Sequence, residues 1–200
     1  MQVLSGGGLL MLPIVLLSLA AGYIIVERLL YFWNARETDG AVADGLAAAL
    51  RERSARDLFR ELQDRRSPEA RVLVAGLRSG RRLSPEQRQR QLDLIAQQEI
   101  VALERNIPYL QNIANVATLI GLLGTVIGMI SAFLGMRTSG SADLDALSGG
   151  ISQALVTTAA GLSVAIPSTL FHHLFASHVQ KTVARINIIA TELAGYFSSP

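Results

Sequence analysis

Three stretches of this chain contain no Asp, Glu, Lys or Arg: residues 1–26, 106–136 and 146–180. The 18 basic and 16 acidic residues are confined to what lies between and beyond them. A helix rises ~1.5 Å per residue and crosses ~30 Å of hydrocarbon in about 20 apolar residues, so each stretch is long enough to span a bilayer. With 50 % apolar and 17 % charged residues, the composition agrees. A net charge of +2, with no basic cluster interleaved with aromatics, argues against nucleic acid as a partner. The absence of cysteine excludes disulfides, thiolate nucleophiles and cysteine-based metal sites.

The first stretch has two readings. Ser18-Leu19-Ala20 loosely fits a signal-cleavage site, but residues 1–8 carry no Lys or Arg and the apolar run continues through Ile24-Ile25-Val26 to Leu29-Leu30. A retained membrane anchor is therefore expected. It ends in Glu27-Arg28 and Tyr31-Phe32-Trp33, which read as charges at the water edge beside an interfacial aromatic belt. Residues 36–105 hold 14 of the 18 Lys and Arg, the connection 137–145 only Arg137, and Lys181 and Arg185 follow the third stretch. The positive-inside rule then places the long loop and the C-terminus in the cytoplasm, with the N-terminus and the short hairpin outside.

The fold class expected is all-α: a polytopic membrane protein of three transmembrane helices whose second and third helices are long and extend into the cytoplasm. Capping residues precede helical runs at Ser54 with Asp57, Ser67-Pro68-Glu69 and Ser84-Pro85-Glu86-Gln87. From Pro85 the apolar positions Leu92, Ile95, Leu103, Ile107 and Leu110 recur at helical spacing. One helix carried from there to Met136 would be ~75 to 80 Å long. Val183, Ile186, Leu193 and Phe197 extend the third helix beyond Lys181. The expected organisation is a first span in 1–33, a cytoplasmic helical loop in 34–105 that includes the start of the second helix, and a second span in 106–136. An outer hairpin in 137–145, a third span in 146–180 and a cytoplasmic helical tail in 181–200 complete it.

Within the second span Thr118, Gly121, Thr125, Gly128 and Ala132 form a stripe of small residues, and Gly124 and Gly128 make a GxxxG pair. The third repeats the feature with Ala154, Thr158, Gly161 and Ala165, beside Ser152, Gln153 and Thr157. An unsatisfied hydroxyl or amide is costly in hydrocarbon, so these groups should face protein or water. Close helix packing and the lining of a pore both fit. A single three-helix chain buries little of two such faces, which implies self-association into a ring. Pro167 either kinks the third helix or is accommodated by its neighbours.

The run Gly121-Leu122-Leu123-Gly124-Thr125-Val126-Ile127-Gly128-Met129, followed on the next span by Ile151-Ser152-Gln153-Ala154-Leu155-Val156-Thr157-Thr158-Ala159-Ala160-Gly161-Leu162-Ser163-Val164-Ala165-Ile166-Pro167, resembles the signature of the MotA/TolQ/ExbB proton-channel family. The resemblance is closest to its ExbB and TolQ branches and covers residues 106–180 in detail. It implies a homo-oligomer, a pentameric ring in the bacterial inner membrane. That ring would enclose the membrane helices of an ExbD-like or TolR-like single-span partner and drive a TonB-like or TolA-like protein from the proton gradient. It also implies that Thr125 and Thr158 face the pore. Gln153 stands where the family commonly has a glutamate, so the charge-carrying acid is expected on the partner, whose membrane helix carries an aspartate. Gln153 is left a hydrogen-bonding role in the proton pathway. Gly121, Gly124, Gly128, Gly161 and Pro167 are expected to serve helix packing.

No cofactor, metal or catalytic residue is expected, and the chain does not read as an enzyme. His172 and His173 are adjacent and point about 100° apart, a poor arrangement for one metal, and with His178 they read as interfacial side chains. Glu99 and Glu104 read as solvated or paired between helices. Asn106, Asn112 and Asn115 either line the cytoplasmic exit of a pore or pack between subunits. A flagellar stator subunit fits less well, since that group usually adds two further spans. A TolQ-like role in envelope maintenance and a non-conducting scaffold remain open beside the ExbB-like reading.

Overall fold

The computed structural model describes residues 8–35, 62, 67–79, 84–138 and 144–198. Among these there is helix and no strand: α1 (Met11–Ala35), α2 (Pro68–Ser79), α3 (Pro85–Glu104), α4 (Ile107–Thr138) and α5 (Leu144–Ser198). Three runs are long and apolar enough to cross a membrane: Met11–Trp33, Gln89–Met136 and Leu147–Gly195. They contain the three charge-free windows in large part. The helix start expected at Ser54 and Asp57 lies outside the described residues, as do residues 139–143 of the expected hairpin.

The chain divides into two compact units, Met1–Glu27 with Asn106–Leu174 and Arg28–Arg105 with Phe175–Pro200. In the first, α1 buries Met11, Ile14, Ala21 and Ile24 at helical spacing. Ala114, Ala117 and Ala165 form a small core there, with Leu17 and Val164 packed against it. Leu119, Leu122, Phe133, Leu155 and Ile166 are exposed, the arrangement suited to lipid rather than water.

In the second unit, α2 and α3 begin where the capping residues predict. Ser67 Oγ accepts from the Ala70 backbone N–H (3.2 Å). Ser84 and Gln87 form a reciprocal capping box. Leu73, Leu92, Leu103, Ile186, Ile189 and Leu193 are buried here. Gly76 leaves the room that the ends of Leu92 and Leu193 occupy, at 2.8 and 2.6 Å from where a Cβ would stand. Of the face foreseen beyond Lys181, Ile186 and Leu193 are buried and Val183 is half-buried, while the side chain of Phe197 lies outside the described residues.

The helix foreseen without interruption from Pro85 to Met136 is broken at two residues. α3 ends at Glu104, Arg105 caps it with φ −50° and ψ 135°, and Asn106 takes φ +64° before α4 starts at Ile107. Pro108 is the cause. It has no N–H for the residue-104 carbonyl, and its ring would collide with that carbonyl in a continuous helix. Asn is the residue besides Gly that most readily takes the left-handed conformation. Its side chain is also used, since Asn106 Nδ2 donates to Glu27 Oε2 at 2.8 Å. Asn106→Val, which loses that bond and puts a β-branched residue at positive φ, is expected to cost about 2 kcal/mol. Asn106→Gly should cost less than half as much; thermal unfolding in detergent compares the two.

Arg28 departs from the expectation of a charge at the water edge, for it is only 2 % exposed. The break leaves the last carbonyls of α3 without intrahelical donors. Arg28 Nη1 donates to two of them, Ala102 O at 3.3 Å and Leu103 O at 3.4 Å. The guanidinium also lies over the Tyr31 ring, 5.0 Å from its centre. Of the foreseen aromatic belt, Trp33 is exposed, but Phe32 is buried against Phe175 and His178.

Candidate functional site

In the first unit α4 and α5 approach until backbone meets backbone, and the small residues set how closely. A Cβ on Gly161 would stand 2.6 Å from the Ala117 carbonyl oxygen and 3.1 Å from the Gly121 Cα. One on Gly121 would stand 3.3 Å from the Thr158 Cα. One on Gly128 would meet the Ala154 Cβ at 2.7 Å and the Gly150 carbonyl at 2.9 Å, and one on Gly124 would collide with the Thr157 side chain. Pro167 lies inside α5 with its side chain exposed. Gly161→Ala should therefore lower stability by about 1–3 kcal/mol, since the obstacle is backbone and cannot rotate away. Gly22, with nothing within 4 Å, is the control: Gly22→Ala should leave the unfolding midpoint unchanged or raise it.

Two adjacent threonines divide the work on α5. Thr157 is 1 % exposed; its side chain fills the space over Gly124, and its hydroxyl donates back to Gln153 O (2.9 Å). Thr158 is half-buried and its hydroxyl donates across to the Gly121 carbonyl of α4 at 2.8 Å. Thr125, also half-buried, donates to Leu122 O on its own helix at 2.6 Å. Both hydroxyl protons are committed within the unit, so what each oxygen offers a further group is its lone pairs.

Gln153 is half-buried and its amide nitrogen lies against Gly8, whose φ of +66° disfavours any side chain there. The family signature thus spreads over distinct contacts: Thr158 is joined to Gly121, Gln153 lies at the start of α1, and Thr125 is bonded along α4. Sequence reasoning named Thr157 only as a polar neighbour. Its signal was its position, four residues after Gln153 and opposite a glycine.

Farther along the same unit, His172 Nδ1 is 3.1 Å from the Ile107 carbonyl, and the His173 ring packs edge-on to it with 5.3 Å between centres. Gln111 and Asn115 are bonded to each other on α4 (3.1 Å), while Asn112 is exposed. Among the described residues no group of three His, Cys, Asp or Glu is placed to hold a metal.

In the second unit Glu99 is paired with Arg71 at 2.7 Å, and Glu69, buried, lies 4.0 Å from Arg185. Burial pushes the Glu99 carboxyl above its ordinary value, against the opposing pull of Arg71. The folded chain then holds this proton more tightly than the unfolded chain does. The resulting stabilisation is full below the ordinary value near 4.5 and is lost as pH rises through the folded value. Wild type should accordingly lose stability relative to Glu99→Gln as pH is raised above about 4.5, and unfolding midpoints at a series of pH values would show the two curves separating.

Three apolar spans, two of them packed along a seam of glycines and threonines, define a multi-pass membrane protein. Residues 64–188 match the profile of the MotA/TolQ/ExbB proton channel family, and the chain belongs to that family. It is 33 % identical to an ExbB-like biopolymer transport protein of Synechocystis sp., over 94 % of this chain and 74 % of that one. It is 38 % identical to the Tol-Pal system protein TolQ of Haemophilus influenzae over 42 % of this chain and 37 % of TolQ. The biopolymer transport protein ExbB of Xanthomonas campestris is 33 % identical over 50 % of this chain and 40 % of ExbB.

Proposed function

We propose that this chain is the ring-forming, ExbB-like subunit of a motor driven by the proton gradient across the bacterial inner membrane. Five copies would surround the membrane helices of an ExbD-like single-span partner and energise a TonB-like protein for transport across the outer membrane. The observation that carries this reading is the hydroxyl-bearing seam of α4 and α5 in a member of a proton-channel family. Likeness to an ExbB-like protein over 94 % of the chain favours the ExbB task. The higher identity to TolQ over a shorter stretch supports a second reading, a TolQ-like subunit of the Tol-Pal system.

In this reading the N-terminus and residues 137–145 face the periplasm, and residues 34–105 and 181–200 lie in the cytoplasm, a placement that the distribution of arginine supports. Thr125 and Thr158 border the pore. Because their protons are donated to Leu122 O and Gly121 O, their oxygens accept from a protonated carboxylic acid better than they donate to an ionised one. A hydrogen bond made to the neutral form holds an acid protonated, so beside these threonines the partner's aspartate would be in its loaded state. Turning the Thr125 hydroxyl away from its own helix would reverse the preference and release the proton. Each proton that crosses contributes about 2.3 kcal/mol per 100 mV.

Co-purification with a small single-span protein bearing a membrane aspartate, followed by outer-membrane transport with and without a protonophore, tests the assignment. The reading requires a stable complex and transport that the protonophore stops. Transport indifferent to this chain, with envelope integrity dependent on it, would move the task to the TolQ-like reading.

A further inference from the structure

Resting on the reading of the ring as a proton path, we infer that His172 is a proton-accepting relay of this chain itself, at the cytoplasmic end of the face of α5 that carries Thr158. Residues 158, 162, 165, 169 and 172 follow one another at steps of four, three, four and three, which keeps them on one side of a helix. The polar members of that row are Thr158, Thr169 and His172, all half-buried.

The hydrogen bond of His172 decides which of its atoms is available. A carbonyl only accepts, so the 3.1 Å contact with Ile107 O requires the proton on Nδ1. The neutral ring is then the Nδ1–H tautomer, with the Nε2 lone pair free to take a proton. Among the described residues Nε2 has no hydrogen-bond partner. Uptake at Nε2 gives the imidazolium while Nδ1–H stays on Ile107 O; release from Nε2 to water restores the neutral ring, and no other bond changes. Without the anchoring carbonyl, proton transfer would be accompanied by reorientation of the ring.

Other titratable groups stand on the elements packed at this end. His173 stands edge-on to it on α5. Tyr109 on α4 is exposed, and Glu27 on α1 accepts from Asn106. Arg28, next in sequence, has its guanidinium on the α3 carbonyls. Imidazole is the side chain that exchanges protons most readily near neutral pH, whereas the Thr158 and Thr169 hydroxyls of the row do not.

The complex of this chain with its single-span partner, reconstituted in vesicles with an enclosed pH dye, tests the inference. His172→Asn places an amide N–H where Nδ1–H stands, keeping the bond to Ile107 O while removing the titratable nitrogen. Its flux should fall about tenfold or more, and the dependence on pH between about 5 and 8 should flatten, with the ring still assembled. An assembled His172→Asn complex with the wild-type rate and pH profile overturns the inference and leaves the channel reading standing. Wild-type vesicles that pass no protons overturn that reading and this inference together. Nitrogen-15 spectra of histidine-labelled wild-type complex give an answer that does not depend on the variant. The inference expects the Nδ1–H tautomer for His172, and an Nε2–H tautomer contradicts it.

Discussion

Replacing Thr158 by Val is expected to abolish most proton-driven work while leaving the ring assembled. Valine matches threonine in shape, so the contact of α5 with α4 around Gly121 and Gly161 survives. What disappears is the hydroxyl that donates to Gly121 O at 2.8 Å. That carbonyl also lies within the regular hydrogen bonding of α4, so the cost to stability is about 1 kcal/mol. In the proposed channel the cost to function is larger, because the partner's acid would lose an acceptor for its proton at Thr158. Leaving a buried neutral donor without its acceptor costs about 1–3 kcal/mol, which corresponds to a roughly fivefold to hundredfold loss of rate. Thr158→Ser should recover most of it. A scaffold in which the small-residue stripes only pack helices would lose stability in Thr158→Val and keep its transport rate, so the two measurements together separate channel from scaffold.

The second large effect is expected at Arg28, and it concerns stability. Arg28→Met keeps an apolar stem of similar length but leaves Ala102 O and Leu103 O without their donor, in a place only 2 % exposed. It also removes the cation from the face of Tyr31. Two charge-assisted hydrogen bonds lost with their acceptors still buried should cost about 3 kcal/mol or more. Arg28→Lys should recover only part, because an ammonium lacks the planar fork and does not stack on the ring in the same way. Thermal unfolding in detergent, with fragmentation by a protease cutting near residues 104–107, reads both the loss and its location.

The three spans were legible because charge is excluded from hydrocarbon over a fixed length, and nothing else in the sequence competes with that constraint. The helix starts at Ser67 and Ser84 were legible for a local reason: the capping hydroxyl and its target lie three residues apart. The break at Arg105 and Asn106 was written in Pro108, yet the apolar spacing of Leu103, Ile107 and Leu110 runs through it and favoured one helix. Burial of those three residues is real on both sides of the break, so periodicity alone does not reveal it. Arg28 was misjudged because its partners lie 74 and 75 positions away. Thr157 and Thr158 are neighbours with the same side chain, and only the glycine each meets on α4 tells the packing hydroxyl from the bridging one. Gln153 faces Gly8 through a contact that no local pattern announces.

The central claim is that this chain supplies a charge-free, hydroxyl-bearing helix pair and that the acid carried through the span belongs to the partner. Proton uptake into vesicles is its most direct test, measured for the ring alone, for the ring with the single-span partner, and for the ring with the partner's membrane aspartate changed to asparagine. Uptake by the second preparation alone is the expected result. Uptake by the ring without its partner, or an asparagine variant as conductive as wild type, would contradict the account.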